Sequence, residues 1–149
     1  MIDYSLAKRA TLADLFGGRL STLDVCDAHP YLLRAARYHG EVGAADCPVC
    51  KREPLIYVNY VYGDELKDAT GQVRGTVELP KMAREYADLT VYVVEVCRIC
   101  GWNHLNTSYQ IGTNGLRPRR VRRSASANAE TIDSSGAEDS DRPPPPAGV

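Results

Sequence analysis

No apolar run in the sequence approaches the ~18–20 residues that a membrane-spanning helix needs, so a transmembrane segment is not expected. The opening stretch, MIDYSLAKRATLADLF, lacks the apolar h-region of a secretory signal, and the expectation is a soluble, cytoplasmic protein. Excess positive charge is missing as well. With 18 Lys and Arg against 19 Asp and Glu the formal net charge is −1, which excludes the whole-molecule basic field of many nucleic-acid binders. Histidine is scarce: His29, His39 and His104 are the only ones, and no H-E-x-x-H, G-x-S-x-G or P-loop pattern occurs. What is present is ordinary for a folded protein. Of 149 residues, 44% are hydrophobic and 25% charged, enough for one domain, or a small domain with appendages.

Cysteine is where the composition becomes specific. Four of the five cysteines form two C-x-x-C pairs, Cys47-Pro-Val-Cys50 and Cys97-Arg-Ile-Cys100. Two residues between thiolates let a tight turn aim both sulfurs at one ion, and two such turns fill the tetrahedral shell of a structural Zn²⁺ site. Gly101 follows the second pair, where the turn calls for a positive φ that glycine adopts at little cost; Lys51 holds the matching place in the first. Disulfides are disfavoured without a secretory signal. A thioredoxin-like dithiol needs one pair at a helix start in a βαβ setting, whereas both pairs here adjoin strand-like sequence. An Fe–S centre accepts the same four thiolates and stays open as an alternative to zinc. The fifth cysteine, Cys26, lies in a helical stretch and reads as a small buried hydrophobe.

The chain divides into three blocks. Residues 1–40 read as helix, short helix, helix: Tyr4 to Phe16, stopped by Gly17-Gly18; a turn capped by Ser21 with Asp24 three places on; and a helix capped by Asp27, with Pro30 in its first turn and Gly40 as an αL stop. Residues 41–112 hold the cysteine pairs, with strands at Pro54–Tyr62 and Leu89–Val96, a returning strand at His104–Ile111, a short strand from Gln72 and a short helix from Pro80. Residues 113–149 have too few large apolar side chains to offset the entropy of ordering. They read as a disordered tail, basic through Arg117, Arg119, Arg120, Arg122 and Arg123, then acidic and Pro-rich. The expected fold is therefore α+β: a small N-terminal helical bundle, a Cys₄ zinc-ribbon β-domain that zinc staples together, and the tail.

The segments STLDVCDAHPYLLRAAR (21–37), CPVC (47–50), YVYGDEL (60–66) and TVYVVEVCRICGWNHL (90–105) are similar to an uncharacterised actinobacterial family, a domain of unknown function with a Cys₄ zinc ribbon. The resemblance spans residues 1–112 and implies a cytoplasmic actinobacterial protein, but no activity.

Function is thus read from residues. Cys47, Cys50, Cys97 and Cys100 are the expected ligands of one structural Zn²⁺, and four thiolates leave no open position for zinc catalysis, so an enzyme is not expected. Trp102, Asn103 and His104, just past the second pair, offer an aromatic and two polar side chains to a base or a protein partner; the competing reading has Trp102 capping the core. The Arg117–Arg123 run can meet RNA phosphates or an acidic surface. The preferred reading is a non-catalytic zinc-binding module serving the transcription or translation machinery, with protein or RNA as partner and no evident small-molecule substrate. Its alternatives are a DNA-binding regulator using the helix around Tyr31–His39 and a thiol- or metal-dependent enzyme.

Overall fold

The computed structural model describes residues 1–116. Their backbone is organised by two long central strands rich in β-branched and aromatic residues, which favour a pleated, half-buried surface. These are β3 (Pro54–Tyr62) and β5 (Leu89–Val96), paired antiparallel from Ile56↔Val96 to Tyr62↔Thr90. On its other edge β3 carries β2 (Glu41–Asp46) along its first half and β4 (Gln72–Arg74) along its second. Strand β5 continues into β6 (Asn103–Ile111), and β6 is flanked by β1 (Ile2–Asp3). The result is one six-stranded antiparallel sheet, β1-β6-β5-β3-β2, with β4 also on β3.

Successive side chains of a strand point to opposite faces, and here both faces are apolar. Ile56, Val58 and Val96 bury one face against Leu32, Ala35 and Ala36 of α3 (Pro30–His39). Leu55 on the other face packs with Trp102 against Leu12 and Leu15 of α1 (Ser5–Phe16) and Val25 of α2 (Thr22–Val25). Farther along that second face, Val61, Leu89 and Val91 meet Leu66 together with Leu79 and Met82 of α4 (Leu79–Glu85).

This arrangement corrects the expected fold class. There is no N-terminal helical bundle followed by a ribbon: the described residues are mostly the sheet, with a few short helices laid on it. The physical reason is that each sheet face needs cover. The apolar stripe of α3 is spent on one face and the leucines of α1 on the other, so the two helices share no core. The N-terminus itself supplies an edge strand to β6.

Local signals fared better. Ser21 and Asp24 form the capping box, with the Asp24 carboxylate accepting from the Ser21 backbone N–H at 2.7 Å. Helix α3 has Pro30 in its first turn as expected, but it is capped by His29, whose ring nitrogen accepts from the Tyr31 N–H at 3.2 Å, and not by Asp27, whose carboxylate accepts from Asn103 instead. Gly40 is not an αL stop; its backbone is extended (φ −78°, ψ 151°), and a Cβ there would overlap the Ile56 side chain and the Ala36 carbonyl. Glycine is needed for the close approach of α3 to the sheet. Residues Thr113–Leu116 form a 3₁₀ turn, and Arg117, Arg119, Arg120, Arg122 and Arg123, with the rest of the expected tail, lie outside the described residues.

One polar group enters the second core. Glu95 is 1% exposed. It accepts from Lys8 Nζ at 2.7 Å and from Trp102 Nε1 at 3.0 Å, which ties α1, β5 and the residue beyond the second cysteine pair to one carboxylate. Removing one partner of such a pair leaves a buried charge uncompensated. Lys8→Met should therefore cost about 3 kcal/mol in equilibrium urea unfolding. Adding Glu95→Gln should recover much of the loss, because the amide oxygen still accepts from the indole. Unchanged stability of the single variant would refute this account.

Candidate metal centre

The chain leaves the first cysteine pair along β3 and returns to the second along β5. Because these strands are antiparallel and in register from Ile56↔Val96, the turn before β3 and the turn after β5 lie at the same end of the sheet. The two turns are built alike. In the first, the Cys47 N–H donates to the Glu53 carbonyl (2.9 Å) and the Lys51 N–H to the Cys47 carbonyl (3.0 Å). In the second, the Cys97 N–H donates to the Trp102 carbonyl (2.8 Å) and the Gly101 N–H to the Cys97 carbonyl (3.0 Å). Lys51 and Gly101 both take positive φ, 56° and 83°. The glycine expected on conformational grounds is also required by space, since a Cβ on Gly101 would lie 2.9 Å from the Cys26 carbonyl oxygen.

The four sulfurs of Cys47, Cys50, Cys97 and Cys100 lie within 4.8 Å of one another, with Cys47–Cys100 and Cys50–Cys97 each at 3.6 Å. A tetrahedron of sulfurs about one ion at ~2.3 Å has edges of ~3.8 Å, so the donor set fits a single metal ion. Cys47 and Cys97 are fully buried, while Cys50 and Cys100 are half-buried. Backbone N–H groups point at the sulfurs in matching order. Those of Val49 and Cys50 reach Cys47, and those of Ile99 and Cys100 reach Cys97. Those of Arg52 and Trp102 reach Cys50 and Cys100, the last at 3.4 Å. Such donors stabilise a thiolate without neutralising it.

The electrostatics of the bare thiols are unequal. Burial pushes Cys97 up to about 11 and Cys100 up to about 12, and it raises Cys47 as well. At Cys50 burial also acts upward but is outweighed by the Arg52 N–H and the neighbouring thiols, so the net shift is downward. A cation entering the site must therefore displace protons from the buried sulfurs, which couples binding to deprotonation.

Two residues missed by sequence reasoning complete the surroundings. Glu53, in the first turn, crosses to the second, where Oε1 accepts the Arg98 N–H at 2.7 Å and Oε2 lies 3.5 Å from the Arg98 guanidinium. Glu95 holds the indole of Trp102, two residues past Cys100. Neither has a local pattern that marks it. Cys26 is half-buried beside the cluster, its thiol in hydrogen-bond contact with Cys100 and raised chiefly by burial, but it is not one of the four clustered sulfurs.

The other singled-out residues are placed as follows. Trp102 is fully buried and stacks on His104, ring centroids 5.9 Å apart. Asn103 Nδ2 donates to Asp27 Oδ1 at 3.0 Å and to the Gly101 carbonyl at 3.2 Å, and His104 Nδ1 pairs with the Leu105 carbonyl at 2.7 Å. Helix α3 buries Leu32, Ala35 and Ala36 and exposes Tyr31, Arg34, Arg37, Tyr38 and His39. Among the described residues no helix is long and apolar enough to cross a membrane.

Comparison with known proteins gives one family. A family of unknown function, DUF5318, matches residues 1–125. An uncharacterised protein of Mycobacterium bovis and one of Mycobacterium tuberculosis are each 44% identical over 119 residues, covering 80% of this chain and 85% of the relative. No solved structure matches the chain.

The two positive-φ positions make a paired prediction. Gly101→Ala meets both the Cys26 carbonyl and an αL penalty of about 1–2 kcal/mol, and it should lower the urea midpoint clearly. Lys51→Gly relieves the same penalty and offsets it by greater freedom of the unfolded chain, so the midpoint should move little. Equal losses at both positions would contradict the geometry.

Proposed function

We propose, from the premise that the chain belongs to the DUF5318 family of unknown function, that it is a non-catalytic zinc-binding interaction protein. The observation that carries this reading is the closed set of four sulfurs within 4.8 Å, presented by two turns of the same design. Four thiolates complete the tetrahedral shell of Zn²⁺ and leave no position for a water or substrate, as a catalytic zinc requires. A cluster of several irons spreads its thiolates farther apart than one ion does, and this tight set favours a single ion over an Fe–S centre. The residues that would hold the zinc are Cys47, Cys50, Cys97 and Cys100, and the ion's contribution is to tie the β2–β3 and β5–β6 turns together.

The partner class rests on analogy. Paired C-x-x-C turns serve many components of the transcription and translation machinery, and a fold by itself does not fix a function. On this reading the protein is an accessory factor that grips protein or RNA, aided by the run from Arg117 to Arg123.

Elemental analysis of the purified chain should give one zinc per molecule, with no visible absorption of the kind iron–thiolate centres show. Serine at any one of the four positions should abolish stoichiometric retention. Structural zinc supplies an apparent ~10–16 kcal/mol toward folding in small modules, so chelator should lower the thermal midpoint sharply. Iron in place of zinc, or retention unaffected by the serine variants, would overturn the metal reading. Affinity purification with and without residues 117–123 tests the partner class. Enrichment of neither ribosome nor RNA polymerase would sink it.

A further inference from the structure

Helix α3 and the second cysteine turn enclose a groove of about 780 Å³ with Arg34, Arg37 and Tyr38 on one wall and Arg98, Ile99 and Glu53 on the other. Its charge is lopsided. Glu53 is engaged by Arg98 through side chain and backbone, whereas Arg34 and Arg37 make no salt bridge among the described residues. Two guanidiniums one helical turn apart thus face a groove whose carboxylate is already matched. Beside them stand two exposed apolar groups, Tyr38 (68%) and Ile99 (49%), the latter at the tip of the turn.

We propose that this groove docks a short acidic peptide segment of a partner protein, with carboxylates on Arg34 and Arg37 and one aliphatic side chain on Ile99 and Tyr38. The inference rests on the interaction reading above and names its surface and its partner chemistry. Guanidinium forks match carboxylates in a planar, bidentate way that gives direction as well as attraction. An apolar anchor seated among such pairs is the usual make-up of a peptide contact that carries binding energy.

A nucleic-acid strand suits the site less well. Residues 1–116 carry 12 Lys and Arg against 14 Asp and Glu, so the unmatched positive charge of the groove is local to Arg34 and Arg37, enough for one or two carboxylates and not for a long phosphate track. Glu53 is matched by Arg98, and the aliphatic tip at Ile99 finds a partner in a peptide side chain but none in a sugar–phosphate backbone. The groove is also fixed in shape. One wall is part of the C-x-x-C turn itself, and the other is pinned to the sheet by Leu32, Ala35 and Ala36. A peptide can therefore bind without any ordering of the receptor backbone.

Fluorescence anisotropy with the full chain tests this. The probe is a fluorescein-labelled peptide of one leucine flanked on both sides by glutamates; the comparison probes replace the glutamates by glutamine, replace the leucine by serine, or are an oligouridylate. The acidic leucine peptide should bind, and both altered peptides should bind roughly tenfold more weakly. Arg34→Gln with Arg37→Gln should weaken the acidic peptide by about tenfold and leave the glutamine peptide unaffected. Ile99→Ser should weaken the leucine peptide but not the serine one. Arg84→Gln, exposed on α4 at the other sheet face, should change nothing. Metal content measured on each variant separates loss of binding from loss of the metal centre, and the arginine sites are exposed, so the core is untouched. Equal binding of the glutamine peptide, no binding of the acidic one, oligouridylate binding that is lost with Arg34→Gln and Arg37→Gln, or an equal effect of Arg84→Gln would each overturn the proposal.

Discussion

Antiparallel pairing of β3 with β5 is the constraint on which the four-cysteine end depends. It turns two cysteine pairs far apart in sequence into four sulfurs within 4.8 Å. The register leaves little freedom, because a slip of one residue would move every buried side chain of a strand to the other face. At the cysteine end both faces of this sheet are packed with specific partners, so the same burial that orders the strands also aims the thiols. Assembly of the site is in this sense a by-product of core formation, and the two turns add only the local geometry that points each sulfur inward.

The second link runs through Glu95. A carboxylate placed in an apolar core is costly unless every lone pair is engaged, and here the ammonium of Lys8 and the indole of Trp102 supply the partners. Helix α1 has no fully buried residue of its own. Its attachment is therefore directional as well as hydrophobic: Leu12 and Leu15 set the contact, and Lys8 fixes where along the sheet the helix sits. Because Trp102 shares the carboxylate, the position of α1 and the position of the second cysteine turn are settled by the same group.

Legibility in the sequence follows the range of the interaction. The central strands were readable because Pro54–Tyr62 and Leu89–Val96 are dense in β-branched and aromatic residues, and their bounds match. The Ser21–Asp24 cap and the C-x-x-C spacing were readable because their partners are a few residues away. Strand β2 was not, since Glu-Val-Gly-Ala-Ala-Asp has neither alternation nor β-rich composition and forms only because β3 offers it an edge. The helical bundle failed for a related reason: an apolar stripe announces that a helix will be covered but not by what. Glu53 and Glu95 went unnoticed because their importance is created by contacts across 45 and 87 positions of chain.

The edges of the sheet carry a consequence for behaviour in a crowded solution. A long, flat, unpaired strand invites another chain to extend the ladder, and proteins prevent this with short strands, charges and irregularities. Strand β1 is two residues long and ends on Asp3, and β4 spans three residues. Strand β2 begins on Glu41, ends on Asp46 and shifts register between Val42 and Asp46. Among the described residues, then, the two strands with the greatest β-sheet propensity, β3 and β5, lie in the interior. The short strands added at the borders, β1, β2 and β4, are brief, charged or bent, which makes each a poor template for another chain.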